Sequence, residues 1–238
     1  MAPRVGTQER NAGVQRYGDS IDPPLRSAGR AATTGKPPRS SAQNFWIDES
    51  SLEARRQFIR LGEEERRLLA GLISWARSVT PQIAKKFYDW QFEFGPTRRF
   101  FETYAKSVGM PLSQLRQALE CAQTGYFVQI FEGAEEDWGV SYFERRLKVG
   151  ALHDKINLPF KWYIGSYVEY QRLTSIQLRE ACQDAQQIAA AEQAIFKVFN
   201  CDTQAIGDAF LMTTMTSPTA SLRRWKNRQR PPMRSVAV

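Results

Sequence analysis

The sequence predicts an all-α chain, and three observations carry the prediction. From Phe45 to about residue 215, apolar residues recur at intervals of three and four, the spacing of one helix face. Strand-like alternation of apolar and polar residues is nearly absent over the same stretch. Glycines, prolines and acid runs interrupt the pattern at short intervals, as helix stops and starts do.

The first predicted helix, "SLEARRQFIRLG", sets Leu52, Phe58, Ile59 and Leu61 at helical spacing and is expected to stop at Gly62, a usual C-terminal cap. The next, "EEERRLLAGLISWA", opens on three glutamates that suit the positive end of a helix dipole. A third, "TPQIAKKFYDWQFEF", is expected to begin with Thr80 as N-cap and Pro81 at the first helical position, where the missing N–H costs nothing. Ile83, Phe87, Trp90 and Phe94 form its apolar stripe, with Tyr88 beside it. After "GPTRRFFETYAKSVGM" comes a long helix, "LSQLRQALECAQTGYFVQIFEG", with a ridge of small residues at Ala118, Cys121, Ala122 and Gly125. A mid-helix glycine costs about 1 kcal/mol relative to alanine, so close approach of something bulky is the expected reason for Gly125.

A helix containing His153 follows and is expected to end before Pro159, which disfavours helical geometry at Leu158. Two long helices close the pattern, about 160–182 and 184–215. The last has a sustained seam of Ile188, Ile195, Phe199, Ile206 and Phe210, while the first is apolar on more than one side, with Tyr167, Tyr170 and Leu173 left over for a second partner.

Composition sets the boundaries. With 42% hydrophobic and 12% aromatic residues the chain can bury a sizeable core. No apolar run reaches the roughly 18 residues a membrane span needs, nor does the N-terminus carry a signal-type apolar core, so a cytoplasmic protein is expected. Cys121, Cys182 and Cys201 are three in number, lack CxxC spacing and lie in helical patterns, which supports neither a disulfide framework nor a zinc site.

The net charge of +8 is confined to the ends. Residues 1–43 hold seven basic against three acidic residues, and 216–238 hold six against none, leaving the middle slightly acidic. Both ends are rich in Gly, Pro, Ser, Thr and Arg without apolar period, so they are read as a disordered N-terminal tail (1–43) and a basic C-terminal tail (216–238) around a domain at 44–215. The segment "SLRRWKNRQRPPMR" could hold phosphates and stack one base on Trp225, but such tails bind weakly and without sequence preference, so nucleic acid is not the expected partner.

His153 is the only histidine in 238 residues. One imidazole cannot share a metal with a second, so it is either a satisfied structural residue or the sole protein ligand of a group that brings its own equatorial ligands. Val149 and Ile156 put aliphatic groups on its face, and Gly150 at i−3 removes a side chain that would obstruct a large flat object. That setting suits haem iron, which needs one strong nitrogen donor in an apolar cleft.

The stretch "RRLKVGALHDKINLPFKWYIGSY" resembles the proximal-helix signature of globin-coupled sensors and protoglobins. Arg145 or Arg146, Val149, Gly150, His153, Ile156, Leu158, Pro159, Trp162, Tyr163, Ile164 and Gly165 match, and Asn157 stands where glycine is commoner, a residue that also tolerates left-handed geometry. The resemblance covers about residues 50–215 and implies a globin fold with an extra N-terminal helix and a long final helix pair. It implies haem b, held by His153 as proximal ligand, since no CxxCH motif provides covalent attachment. By the same resemblance Tyr88 donates a hydrogen bond to bound O2, Leu119 screens the ligand, and Tyr163 stands near the haem. Some members have a threonine three residues after that leucine, where this chain has Ala122.

The function implied is reversible binding of O2, and of CO or NO, as a gas or redox sensor rather than an enzyme. Family members form homodimers through the last two helices, and the same is expected here. They usually carry a fused output domain, for which 238 residues leave no room, so a separate signalling partner is expected. The alternative is a haem redox enzyme such as a nitric oxide dioxygenase or peroxidase. Without a GxGxxG fingerprint it would need an external reductase, and there is no second histidine for acid–base work on peroxide.

Overall fold

The computed structural model describes Ala42 and residues 47–216, with side chains to residue 212. The two expected tails lie outside the described residues apart from Ala42 and the helical backbone of Thr216. Among the described residues there are eight α-helices and one 3-10 turn, with no strand, as the periodicity predicts. We number them α1 Glu49–Ile59, α2 Glu63–Gly71, α3 Ile73–Glu93, α4 Gly95–Ser107, α5 Leu112–Glu132, α6 Val140–Lys155, α7 Phe160–Ala181 and α8 Ala185–Thr216, the 3-10 turn at Gly133–Glu136 lying between α5 and α6.

Helix α1 starts in a capping box in which Asp48 accepts from Ser51 N–H at 2.8 Å while Ser51 Oγ accepts from Asp48 N–H at 3.1 Å. Its C-terminus departs from the expected glycine cap. Arg60 takes the left-handed conformation (φ 55°, ψ 43°), and Lys197 of α8 donates to the Arg60 carbonyl at 2.6 Å. Gly62 instead opens α2, its N–H bonded to Glu65 Oε2 at 2.9 Å. An exposed arginine side chain and an external lysine donor replace the glycine at the stop.

A second departure is at Thr80–Pro81. No helix begins there: α3 runs unbroken from Ile73 to Glu93 with Pro81 inside it. Thr80 is fully buried and its hydroxyl donates to the Ala76 carbonyl. Ala76, Thr80, Ile83 and Phe87 form one buried stripe, and burying that continuous face outweighs the hydrogen bond Pro81 cannot donate. The expected second helix therefore breaks earlier, at the single residue Leu72 (φ −95°, ψ 2°).

Helix α6 packs along α8 and α3 along α5, with α7 against both α8 and α3 and α2 against α8. The seam of α8 is buried at every expected position, Ile188, Ile195, Phe199, Ile206 and Phe210. Tyr170 and Leu173 of α7, expected to be spare for a partner, are 5% and 2% exposed in the chain's own core. Phe87, Phe127 and Phe199 surround the Tyr170 ring, so its second apolar face is satisfied by α3 and α5. Between α6 and α7 the chain turns in four residues. Asn157 is left-handed (φ 61°), and Leu158 N–H donates to the His153 carbonyl at 3.0 Å, the tight corner an asparagine permits. No helix among the described residues is long and apolar enough to cross a membrane.

Candidate functional site

His153 sits near the C-terminal end of α6, half-buried. Its Nδ1 lies 2.7 Å from the Val149 carbonyl oxygen one turn earlier. A carbonyl can only accept, so Nδ1 carries the proton and Nε2 is left with a lone pair. Burial lowers the imidazole pKa, the Val149 bond opposing it, so the ring is held in the neutral form that ligates metals. Its flank is closed by Tyr163, whose ring stands edge-on at 4.7 Å and 68°.

Around this histidine the small apolar cluster of Leu158, Tyr163, Ile206 and Phe210 collects Val149 and Ile156. Tyr88 belongs to the larger core and lies 6% exposed between the rings of Phe87 and Phe101, at 5.3 and 6.1 Å. Leu119 of α5 packs against that same core. Two half-buried rings, Phe100 and Tyr167, touch both clusters. The structure thus places Val149, Ile156 and Tyr163 in the small cluster beside His153, and Tyr88 and Leu119 in the adjoining larger one. Tyr88 and Tyr163 are near enough that ionising one opposes ionising the other.

Ala122 joins neither group. It is exposed, as are Ala118, Cys121 and Gly125 along the same ridge, and a Cβ added at Gly125 meets nothing within 4 Å. Gly150 does not open a gap for a flat object. A Cβ there would lie 2.7 Å from Ala209 Cβ and 3.2 Å from Ile206 Cα, so this glycine lets α6 press directly onto α8.

Burial keeps the phenols of the site protonated as donors: Tyr163 is pushed up to about 12, and Tyr88 and Tyr170 rise as well. The Tyr170 hydroxyl is buried without a hydrogen bond, Gln123 being the polar side chain near it.

Four further residues are brought to this region that sequence reasoning did not assign to it. Tyr126 and Tyr167 hydroxyls each lie within 3.5 Å of the Tyr163 hydroxyl, and within 3.2 Å of one another. Arg146 and Asp202, both fully buried, pair at 3.0 Å below them. Their signals were present in the sequence. Tyr126 falls two turns after Leu119 on the same face of α5, and Asp202 fills the gap between Phe199 and Ile206 in the apolar seam, where a charge requires a partner.

The donor set fits a haem. One neutral imidazole presents an unprotonated Nε2 beside an apolar cluster, and a buried phenol and a leucine lie in the adjoining core. A planar group with four equatorial ligands needs one such axial nitrogen and an apolar lining.

The fold is matched by the globin domain of the Geobacter sulfurreducens globin-coupled sensor, with a TM-score of 0.56 and 18% identity, over 66% of this chain and 96% of that one. No curated protein sequence matches the chain. The protoglobin family model matches residues 48–215, well over half of the 238. The chain is a globin and belongs to the protoglobin family.

Proposed function

We propose that this protoglobin binds one haem b through His153 and uses it to bind a diatomic gas reversibly, as a sensor. The observation that carries the reading is the chain's only histidine held as the neutral Nδ1–H tautomer by the Val149 carbonyl, with its free nitrogen available to a metal. Haem iron supplies a site at which a diatomic gas binds with negative charge shifted to its outer atom.

The chain's residues then divide the work. His153 would hold the haem iron through Nε2, Val149, Ile156 and Tyr163 would line the haem beside it, and Leu119 would screen the bound gas. Tyr88, its hydroxyl held protonated by burial, would donate one hydrogen bond to a gas held there. Ala122, exposed on the outer ridge of α5, offers no second donor, so that hydrogen bond rests on Tyr88. Signal output runs through a separate partner. In a homodimer through α7 and α8, the apolar residues left for the interface are Val168 and Leu211, 70% and 62% exposed, rather than Tyr170 and Leu173. Sedimentation of Val168→Glu/Leu211→Glu as a monomer beside a dimeric wild type is the expected result.

An absorption spectrum tests the core of the proposal. Purified wild type is expected to show a Soret band that His153→Ala lacks, and a normal five-coordinate ferrous spectrum in that variant would sink the assignment. Tyr88→Phe separates the gases. A hydrogen bond to a charged acceptor contributes about 1.5–3 kcal/mol, and each 1.4 kcal/mol is tenfold. O2 dissociation should therefore speed by roughly 10- to 100-fold, and that of the weakly polarised CO by only about twofold on the same reasoning. Equal changes for both gases would show that ring shape, not the hydroxyl, governs the pocket.

A further inference from the structure

We propose that Tyr126 is a positioning residue for His153: its hydroxyl holds Tyr163 against the imidazole, and the buried Arg146–Asp202 pair holds Tyr126. The inference rests on His153 being the axial ligand, and it concerns what keeps that imidazole in one orientation.

The linkage starts at Arg146, on the same face of α6 as His153 and two turns before it. Four of its five N–H donors are used. Nε donates to Asp202 Oδ1 at 3.0 Å, NH1 to Gln129 Oε1 at 3.0 Å, and NH2 to the Tyr126 carbonyl and the Tyr142 hydroxyl, each at 3.1 Å. Tyr142 in turn donates to Asp202 at 2.5 Å. The guanidinium lies 3.9 Å from the centroid of the Tyr126 ring and 4.4 Å from that of Tyr142. A fully buried ion pair is a poor source of stability, because apolar residues of the same volume serve as well. What it supplies is fixed geometry, and here the element it fixes is Tyr126, gripped at its ring and at its carbonyl.

The free end of Tyr126 reaches the site. Its hydroxyl lies 3.2 Å from those of Tyr163 and Tyr167, closing a triangle of three buried hydroxyls contributed by α5 and α7. Tyr163 then stands edge-on against His153, while Val149 holds Nδ1 from within α6. Removing the Tyr126 hydroxyl leaves Tyr163 with only the longer 3.5 Å contact to Tyr167, and the brace on the imidazole loosens.

The single histidine makes this readable without any cofactor. In untagged, 15N-histidine-labelled full-length apo-protein, the imidazole nitrogens of His153 are the only ones present. Wild type should show widely separated Nδ1 and Nε2 resonances of one tautomer, Nδ1 protonated. In Tyr126→Phe the two resonances should move toward each other as the tautomers mix, and Asp202→Asn should move them in the same sense by less. Tyr104→Phe, a tyrosine on α4 outside the triangle, should leave them in place. A Tyr126→Phe spectrum identical to wild type overturns the proposal, even if the variant is less stable, since lost stability alone does not change a tautomer. Failure of the haem reading appears separately, as a wild type without a Soret band.

Discussion

Helices α5 and α6 both carry a glycine in mid-helix, and the two glycines answer opposite needs. Gly150 of α6 exists because Ala209 and Ile206 of α8 occupy the space a Cβ would take. Gly125 of α5 has open space where its Cβ would be, on an exposed ridge with Ala118, Cys121 and Ala122. The helix bearing His153 is therefore clamped to its neighbour by direct contact and by the Arg146–Asp202 pair. Among the described residues, nothing covers the small-residue ridge of α5. Rigidity is concentrated on the side that holds the imidazole.

The strongest way to break the contrast is at the buried pair. Arg146→Met leaves Asp202 charged and unpaired in the core, and chemical denaturation should register a loss of about 3–5 kcal/mol. Replacing both partners, Arg146→Met with Asp202→Leu, should recover most of it, because the cost lies in the orphaned charge. If the double variant were as unstable as the single, the pair would be contributing more than mutual compensation.

Gly150→Ala comes next. Its methyl cannot be accommodated without moving α6 from α8, a typical overpacking loss of about 1–3 kcal/mol. The matching Gly125→Ala should move stability the other way, a gain of up to about 1 kcal/mol from helix propensity with no clash. A melting temperature that falls in both variants would erase the distinction between the two faces.

The smallest effect is in pH. The folded-state pKa of His153 lies below its unfolded value because burial opposes the charge, so the unfolded chain binds the extra proton first. Stability from this group is fully present above the usual histidine pKa of about 6.5 and is lost as pH falls through the folded value. Apo-protein His153→Gln should accordingly show a shallower decline of stability on acidification below pH 6.5 than wild type does.

Much of this was readable beforehand, for physical reasons that differ by residue. The seam of α8 and the helical class follow from period alone, which burial of one face enforces. Asn157 was legible as a left-handed corner because few residues tolerate that geometry. Thr80–Pro81 misled because a good helix start and a tolerated mid-helix proline look alike locally, and only tertiary burial of the Ala76–Phe87 stripe decides between them. Gly62 misled because it was recruited as the next helix's start, a choice made by Glu65 and by Lys197 from far along the chain. Gly150 misled because a missing side chain reads the same whether a flat ligand or a neighbouring helix fills the space, and here Ala209 and Ile206 of α8 fill it. Tyr126 was legible as a residue on the Leu119 face of α5, but its meeting with Tyr163 and Tyr167 was not, because the facing of two helices is set only in three dimensions.

His153 is tied down twice, through its ring to the Val149 carbonyl and through its own carbonyl to Leu158 N–H. Immobilising a side chain on association costs about 0.5–1.5 kcal/mol. For this histidine that ordering happens when the chain folds, ahead of any encounter. The imidazole lone pair therefore has a fixed direction before anything binds to it.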